Sequence, residues 1–239
     1  MYMMKNEEMM MKLSEHTIEV LKNFAGINPN IVISPGQKLK TISEAKNILA
    51  SAEITEDFPS EFGIYDLNEF LSVINLVGGK PDLDFQDACV FVHNDDKDPY
   101  FGSVQYFFAE KDILTTPQKD ITMPDPEFKI SISEETLNRI RKAAAVLGHS
   151  ELAISGEDGV VWAAILDDKD ATSNQFKLGL THDNDCKNSF TFVLNISNLK
   201  FLPGDYHLSI SSKLISHWQN SAVPVEYFVA LEKTSEYHV

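Results

Sequence analysis

The sequence predicts an α+β protein of mainly antiparallel sheet, built as two similar domains. Three observations carry that expectation: one plan of elements occurs twice, runs with strand character outnumber helical ones, and the helices do not alternate regularly with strands. In one match, Tyr65-Asp66-Leu67-Asn68, Phe70 to Ile74 and the turn Gly78-Gly79-Lys80-Pro81 line up with Phe192-Val193-Leu194-Asn195 and Leu199-Lys200-Phe201-Leu202-Pro203-Gly204. In the other, Leu13-Ser14-Glu15 through Ile18 and Leu21, then Ile31 to Ser34, line up with Ile132-Ser133-Glu134 through Leu137 and Ile140, then Leu152 to Ser155. Both matches keep the same order and a separation of about 120 to 127 residues, as a duplicated unit would.

The elements follow from local chemistry. Ser14 and Ser133 precede acidic residues and can cap the free N–H groups of a helix start, so a helix opens each copy. In the first, Leu13, Ile18, Leu21 and Ala25 share the apolar face opposite His16, Glu19, Lys22 and Asn23. In the second, Leu137, Ile140, Ala144 and Leu147 oppose Asn138, Arg139, Arg141 and Lys142. Strands are expected at 31–34, 62–65, 83–85, 88–92 and 100–108 in the first copy. The second copy gives 128–132, 152–155, 160–166, 175–180, 190–194, 206–211, 213–218 and 223–231. A second short helix, at 66–76 and again after Asn195, brings the helices to two per copy.

Domain limits follow from composition. Residues 1–10, Met-rich yet carrying Lys5, Glu7 and Glu8, read as an upstream start or a disordered extension, without the apolar core or cleavage site of a signal peptide. Residues 11–110 form the first domain and 127–239 the second. Between them, 111–126 holds Thr115, Thr116, Pro117, Pro124 and Pro126 without apolar periodicity and reads as a connector. The 43% hydrophobic content with 23% charged residues fits a folded soluble protein, and no apolar run reaches membrane-spanning length. Cys89 and Cys186, far apart in the chain, fit a reducing compartment better than a disulfide scaffold. A net charge of −16 argues against tight nucleic-acid binding.

Signals for catalysis are weak. The seven His residues form no HxH or HExxH pairing, and neither GxSxG nor GxxxxGK[ST] occurs. Asp183-Asn184-Asp185 begins like a calcium loop but lacks the Gly and distal Glu, and Asp95, Asp96, Asp98, Asp167, Asp168 and Asp170 read as solvated loop acids. No catalytic residue, metal ligand or cofactor is assigned.

The runs Met11-Lys12-Leu13-Ser14 with Leu21 to Ala25, Tyr65 to Asn68 with Phe70-Leu71-Ser72, Leu202 to Tyr206, and Tyr227 to Glu232 together resemble the sliding clamps of T4-like bacteriophages, related in fold to PCNA. The resemblance covers nearly all of 11–235 and lies in order and spacing. It implies the DNA-clamp fold, three copies joined head to tail in a ring around double-stranded DNA, and a non-enzymatic role in tethering a DNA polymerase for processive synthesis. An ATP-driven clamp loader, RNA polymerase-associated factors for late transcription and the cytoplasm of an infected bacterial host come with it, and no membrane. By the same resemblance the helices line the hole, which turns Lys12, Lys22, Arg139, Arg141, Lys142 and Lys200 toward DNA as a weak, sequence-blind lining. Glu15, Glu19, Glu134 and Glu135 share those helices, so the lining is only locally basic.

The copies would join strand to strand, through Tyr100, Phe101, Tyr106 and Phe108 (with Phe107 in the same run) on one side and Phe176 and Leu178 on the other. Partner tails would dock at Ile113 and Leu114 of the connector and Phe228 and Ala230 of the last strand. Readings from other classes are an acidic hydrolase or transferase and a monomeric protein-binding module.

Overall fold

A computed structural model describes residues 10–78, 80–94, 102–157, 159–167, 170, 172–181 and 189–238. The chain divides into two units. One takes the chain up to Lys46 and again Ala50–Gln118; the other takes Asn47–Leu49 and everything from Lys119 on.

Unit 1 runs β1 (Met10–Lys12), α1 (Glu15–Ile27), β2 (Ile31–Ile33), β3 (Gly36–Ile42), β4 (Ile48–Phe58), β5 (Phe62–Ile64), α2 (Leu67–Val77), β6 (Asp82–Phe85), β7 (Cys89–His93) and β8 (Ser103–Phe107). Antiparallel pairing gives a sheet in the order β1-β6-β7-β8, while β2 pairs with β5. Ser14 caps α1 by accepting from Thr17 N at 3.2 Å, and Asp66 caps α2 by accepting from Asn68 N and Glu69 N. Phe24, Phe70, Ile31, Ile33, Leu39 and Ile64 fill the core.

Unit 2 repeats the plan with β9 (Phe128–Ile132), α3 (Glu134–Leu147), β10 (Glu151–Glu157), β11 (Val160–Leu166), β12 (Phe176–Gly179), β13 (Ser189–Asn195), β14 (Tyr206–Ser211), β15 (Ile215–Asn220), β16 (Val225–Ala230) and β17 (Glu236–His238). The order β9-β14-β15-β16 reproduces β1-β6-β7-β8, and the antiparallel pair β10·β13 reproduces β2·β5. A second sheet runs β12-β11-β10-β13-β17. Beside β16, Ala230 N donates to Asn47 O at 2.9 Å, which aligns the segment 47–49 with that strand. Trp218, Tyr206, Tyr227 and Phe201 form the aromatic core.

The structure departs from the sequence reading in a helix, in the buried stripes of α1 and α3, and in several strands. Where a fourth helix is expected, the chain makes a single 3-10 turn, Ile196–Asn198. Asn195 Oδ1 accepts from Ser197 N at 3.0 Å and starts the turn, but Pro203 disfavours helical backbone at Leu202. Leu202 instead bonds to core tyrosines: its N–H donates to Tyr227 Oη (3.1 Å) and its carbonyl accepts from Tyr206 Oη (2.7 Å). The buried stripe of α1 is Thr17, Val20, Leu21, Phe24 and Ile27, so Ile18 and Ala25 are only half-buried rather than core, as is Leu147 of α3.

Strands β1, β3, β4 and β17 are absent from the sequence reading. On β4, Ala52, Ile54, Glu56 and Phe58 point inward, and the inward Glu56 breaks the apolar alternation. Glu56 accepts from the backbone N–H of Ser14 and, at 2.5 Å, from Thr17 Oγ1, which supports the exposed donors of the α1 start. Burial alone raises its pKa, but the bonds from Thr17 and Ser14 outweigh that and hold the carboxyl below its ordinary value.

Candidate nucleic-acid interface and subunit edges

The solvent face of each unit's helices comes from residues off the buried stripe. In unit 1, Glu15, Ile18, Glu19, Lys22, Leu71 and Asn75 line a groove of about 600 Å³ along α1 and α2. Glu15 is paired to Lys80 at 3.3 Å, and exposed Glu69 adds a further acid. Lys22 is exposed on this face. Lys12 stands on β1, off the helices, and pairs with Asp82 at 3.4 Å.

In unit 2, Arg139 and Lys142 are exposed on α3, and Arg139 is paired with Glu135 at 2.7 Å, a surface pair of little energetic weight. Lys200 is exposed. Arg141 is different: it is half-buried, its Nη2 donates to Leu199 O at 2.7 Å, and its guanidinium lies 6.0 Å from the centre of the Phe201 ring. Burial pulls its pKa down from the usual arginine value.

The aromatics expected at the subunit edge divide. Tyr106 is buried against Phe70 and donates to Asp66 O at 3.3 Å; burial first, and the charge of Glu69 second, push its pKa up to about 12. Phe108 stacks on Phe62 with centroids 4.7 Å apart. Both therefore pack on their own unit, because side chains alternate along the strand and these two positions face the core. Phe107, between them, is 66% exposed at the edge strand β8. Tyr100 and Phe101 lie outside the described residues, as do 1–9, Cys186, Asp183–Asp185, Asp95, Asp96, Asp98 and Asp168.

On unit 2, Phe176 and Leu178 sit half-buried on the edge strand β12, opposite Ile165 and Ala163 of β11. With Val146, Leu147, Arg139 and Lys142 they line a groove of about 420 Å³. Val146 is 75% exposed, and its unit 1 analogue in character is Leu76 on α2, 76% exposed. Sequence reasoning missed both, although each is a large apolar residue off the buried stripe of a short helix, which is a readable signal.

The remaining partner-site residues occupy different environments. Ile113 is 63% exposed in the 3-10 turn Lys111–Ile113, whereas Leu114 is buried against Gly63. A Cβ on Gly63 would come within 2.5 Å of Leu114 Cδ1 and 2.6 Å of Ala109 O, so that close approach requires glycine. Phe228 is buried and stacks on His217 at 4.2 Å, and Ala230 is exposed. Among the described residues, no cluster of His, Cys, Asp or Glu is arranged to hold a metal, and no helix is long and apolar enough to cross a membrane.

The fold has known counterparts. It superposes on the proliferating cellular nuclear antigen of Entamoeba histolytica with a TM-score of 0.68 at 14% identity, over 93% of this chain and 98% of that one. The family described as DNA polymerase processivity factor matches residues 12–100, and that described as gp45 sliding clamp, C terminal, matches 129–233. The sliding clamp of Vibrio phage KVP40 is 33% identical over 93% of this chain and 99% of its own length; that of Escherichia phage RB69 is 31% identical over 94% and 98%. The chain belongs to the sliding-clamp family, and its function is that of a DNA polymerase processivity factor.

Proposed function

We propose that three copies close head to tail into a ring around double-stranded DNA, with β8 of one copy laid along β12 of the next. The observation that carries this is the duplication itself. By order in the repeat, β12 corresponds to β4 and β8 to β16, and within unit 2 the carbonyl of Asn47, just ahead of β4, accepts from Ala230 N at the end of β16. β8 and β12 are the ends of their sheets, so each leaves one strand edge that a second copy can cover head to tail. Exposed Leu76 and Phe107 on one side, and Val146, Leu147, Phe176 and Leu178 on the other, supply apolar surface for the joint.

The ring holds DNA by enclosure. Lys22, Arg139, Lys142 and Lys200 give a local, sequence-independent attraction, and the chain's charge of −16 keeps contacts weak enough for sliding. The ring tethers the replicative polymerase and is opened by an ATP-driven clamp loader. Exposed Ile113 and Ala230 serve the tails of polymerase and of RNA polymerase-associated factors, in the cytoplasm of an infected bacterium. Retention on nicked circular DNA tests enclosure: loaded protein stays bound and is released when the circle is cut. Equal retention before and after cutting would reject it.

A further inference from the structure

We infer that Arg141 is a positioning residue: it holds the 199–202 segment against α3 and thereby sets where Lys200 stands. Counted from the capping serines, Arg141 occupies the position on α3 that Lys22 occupies on α1. In unit 1 a full helix, α2, packs alongside and the cation stays at the surface. In unit 2 that helix is reduced to one 3-10 turn, and the chain beyond it has no helical hydrogen-bond ladder of its own. Its backbone is held by tertiary contacts instead: Leu199 O by Arg141 at 2.7 Å, Phe201 by the ring cluster and the overlying guanidinium, and Leu202 by the hydroxyls of Tyr206 and Tyr227.

Lys200 is the exposed residue between those anchored positions. A guanidinium suits the task, because its planar fork can donate to a carbonyl while its face rests on an aromatic ring. A cation so committed has little left for a phosphate, so Arg141 acts on DNA through Lys200. This last step rests on the proposed DNA-facing role of α3.

The test pairs two readouts. Amide hydrogen exchange in Arg141→Met, with the fold checked by circular dichroism, is expected to quicken about tenfold at Leu199 and Leu202, the effect of losing a hydrogen bond from a charged donor. Unchanged exchange overturns the inference. The second readout is the salt dependence of binding to a short duplex. Lys200→Ala lowers the slope by about 0.9, Arg141→Met lowers it by a similar amount, and the double variant lowers it no further.

An additive double variant makes Arg141 a phosphate ligand and overturns the inference. Quickened exchange with no slope change in any variant, Lys142→Ala included, upholds the anchoring and rejects the DNA-facing role of α3. Tyr206→Phe, which removes the hydroxyl that donates to Leu202 O and also meets Asn220 and Tyr227, is the second variant should Arg141→Met fail to fold. It is expected to speed exchange at Leu202 and lower the slope, and a wild-type result on both counts against the inference.

Discussion

Lys22 and Arg141 hold the same place in two copies of one plan, yet the first is exposed beside acids and the second is half-buried against the Phe201 ring. The difference lies in the segment after the fifth strand of each unit. Unit 1 builds α2 on an Asp66 cap and a stripe of Leu67, Phe70, Ile74 and Val77. Unit 2 uses the same stretch for a short turn and an aromatic anchor, Phe201. A duplicated sheet frame thus tolerates two different ways of closing one layer, provided each brings a large ring into the core. The helix starts differ too: α1 leans on buried Glu56, whereas Glu134 N at the start of α3 donates to exposed Asp205 at 2.8 Å.

The sharpest way to break the comparison is to remove each ring. Phe70→Ala and Phe201→Ala are each expected to destabilise the protein by about 3–5 kcal/mol in denaturant unfolding. A cost under about 1 kcal/mol for Phe201→Ala alone would show that the rings are not equivalent. Next comes Glu56→Gln, expected to cost about 1.5–3 kcal/mol at neutral pH because it weakens two charge-assisted bonds.

The pH dependence has a definite sign. Glu56 titrates below its ordinary 4.5 in the folded state, so its contribution is complete above that value and fades as pH falls through the lower folded pKa. Melting temperatures measured from pH 6 to pH 3 should therefore drop less steeply in Glu56→Gln. Asp66→Ala should cost about 1 kcal/mol through loss of the cap on α2, and Asn195→Ala less, since it opens only one turn. Asp205→Asn on the exposed side should stay within about 0.5 kcal/mol, and a larger loss would erase the contrast with Glu56.

Much of the fold was legible because it rests on local chemistry. Ser14 and Ser133 cap helices as their sequence context implies, and Leu137, Ile140 and Ala144 of the expected stripe are buried, while Leu147 is only half-buried. The parts that stayed hidden depend on partners far away in the chain. Glu56 at an inward strand position is intelligible only once Ser14 and Thr17, some forty residues earlier, are seen to need it. The missing fourth helix mixes both kinds of cause: Pro203 and Tyr206 act locally on Leu202, while Tyr227, which takes the Leu202 N–H, lies 25 residues further on.

The candidate site shows the same divide. Arg139 and Lys142 were readable as exposed, but the fate of Arg141 needed Leu199 and Phe201 in place. Strand alternation separates Phe107 from Tyr106 and Phe108, which density of aromatics alone did not do.

Sedimentation of the wild-type chain beside Val146→Glu tests the ring most directly. At micromolar concentration the wild type is predicted to run as one species of about 81 kDa, three times the 26.9 kDa chain, and Val146→Glu to shift toward the single chain. A wild-type protein that sediments at 26.9 kDa under those conditions would contradict the account.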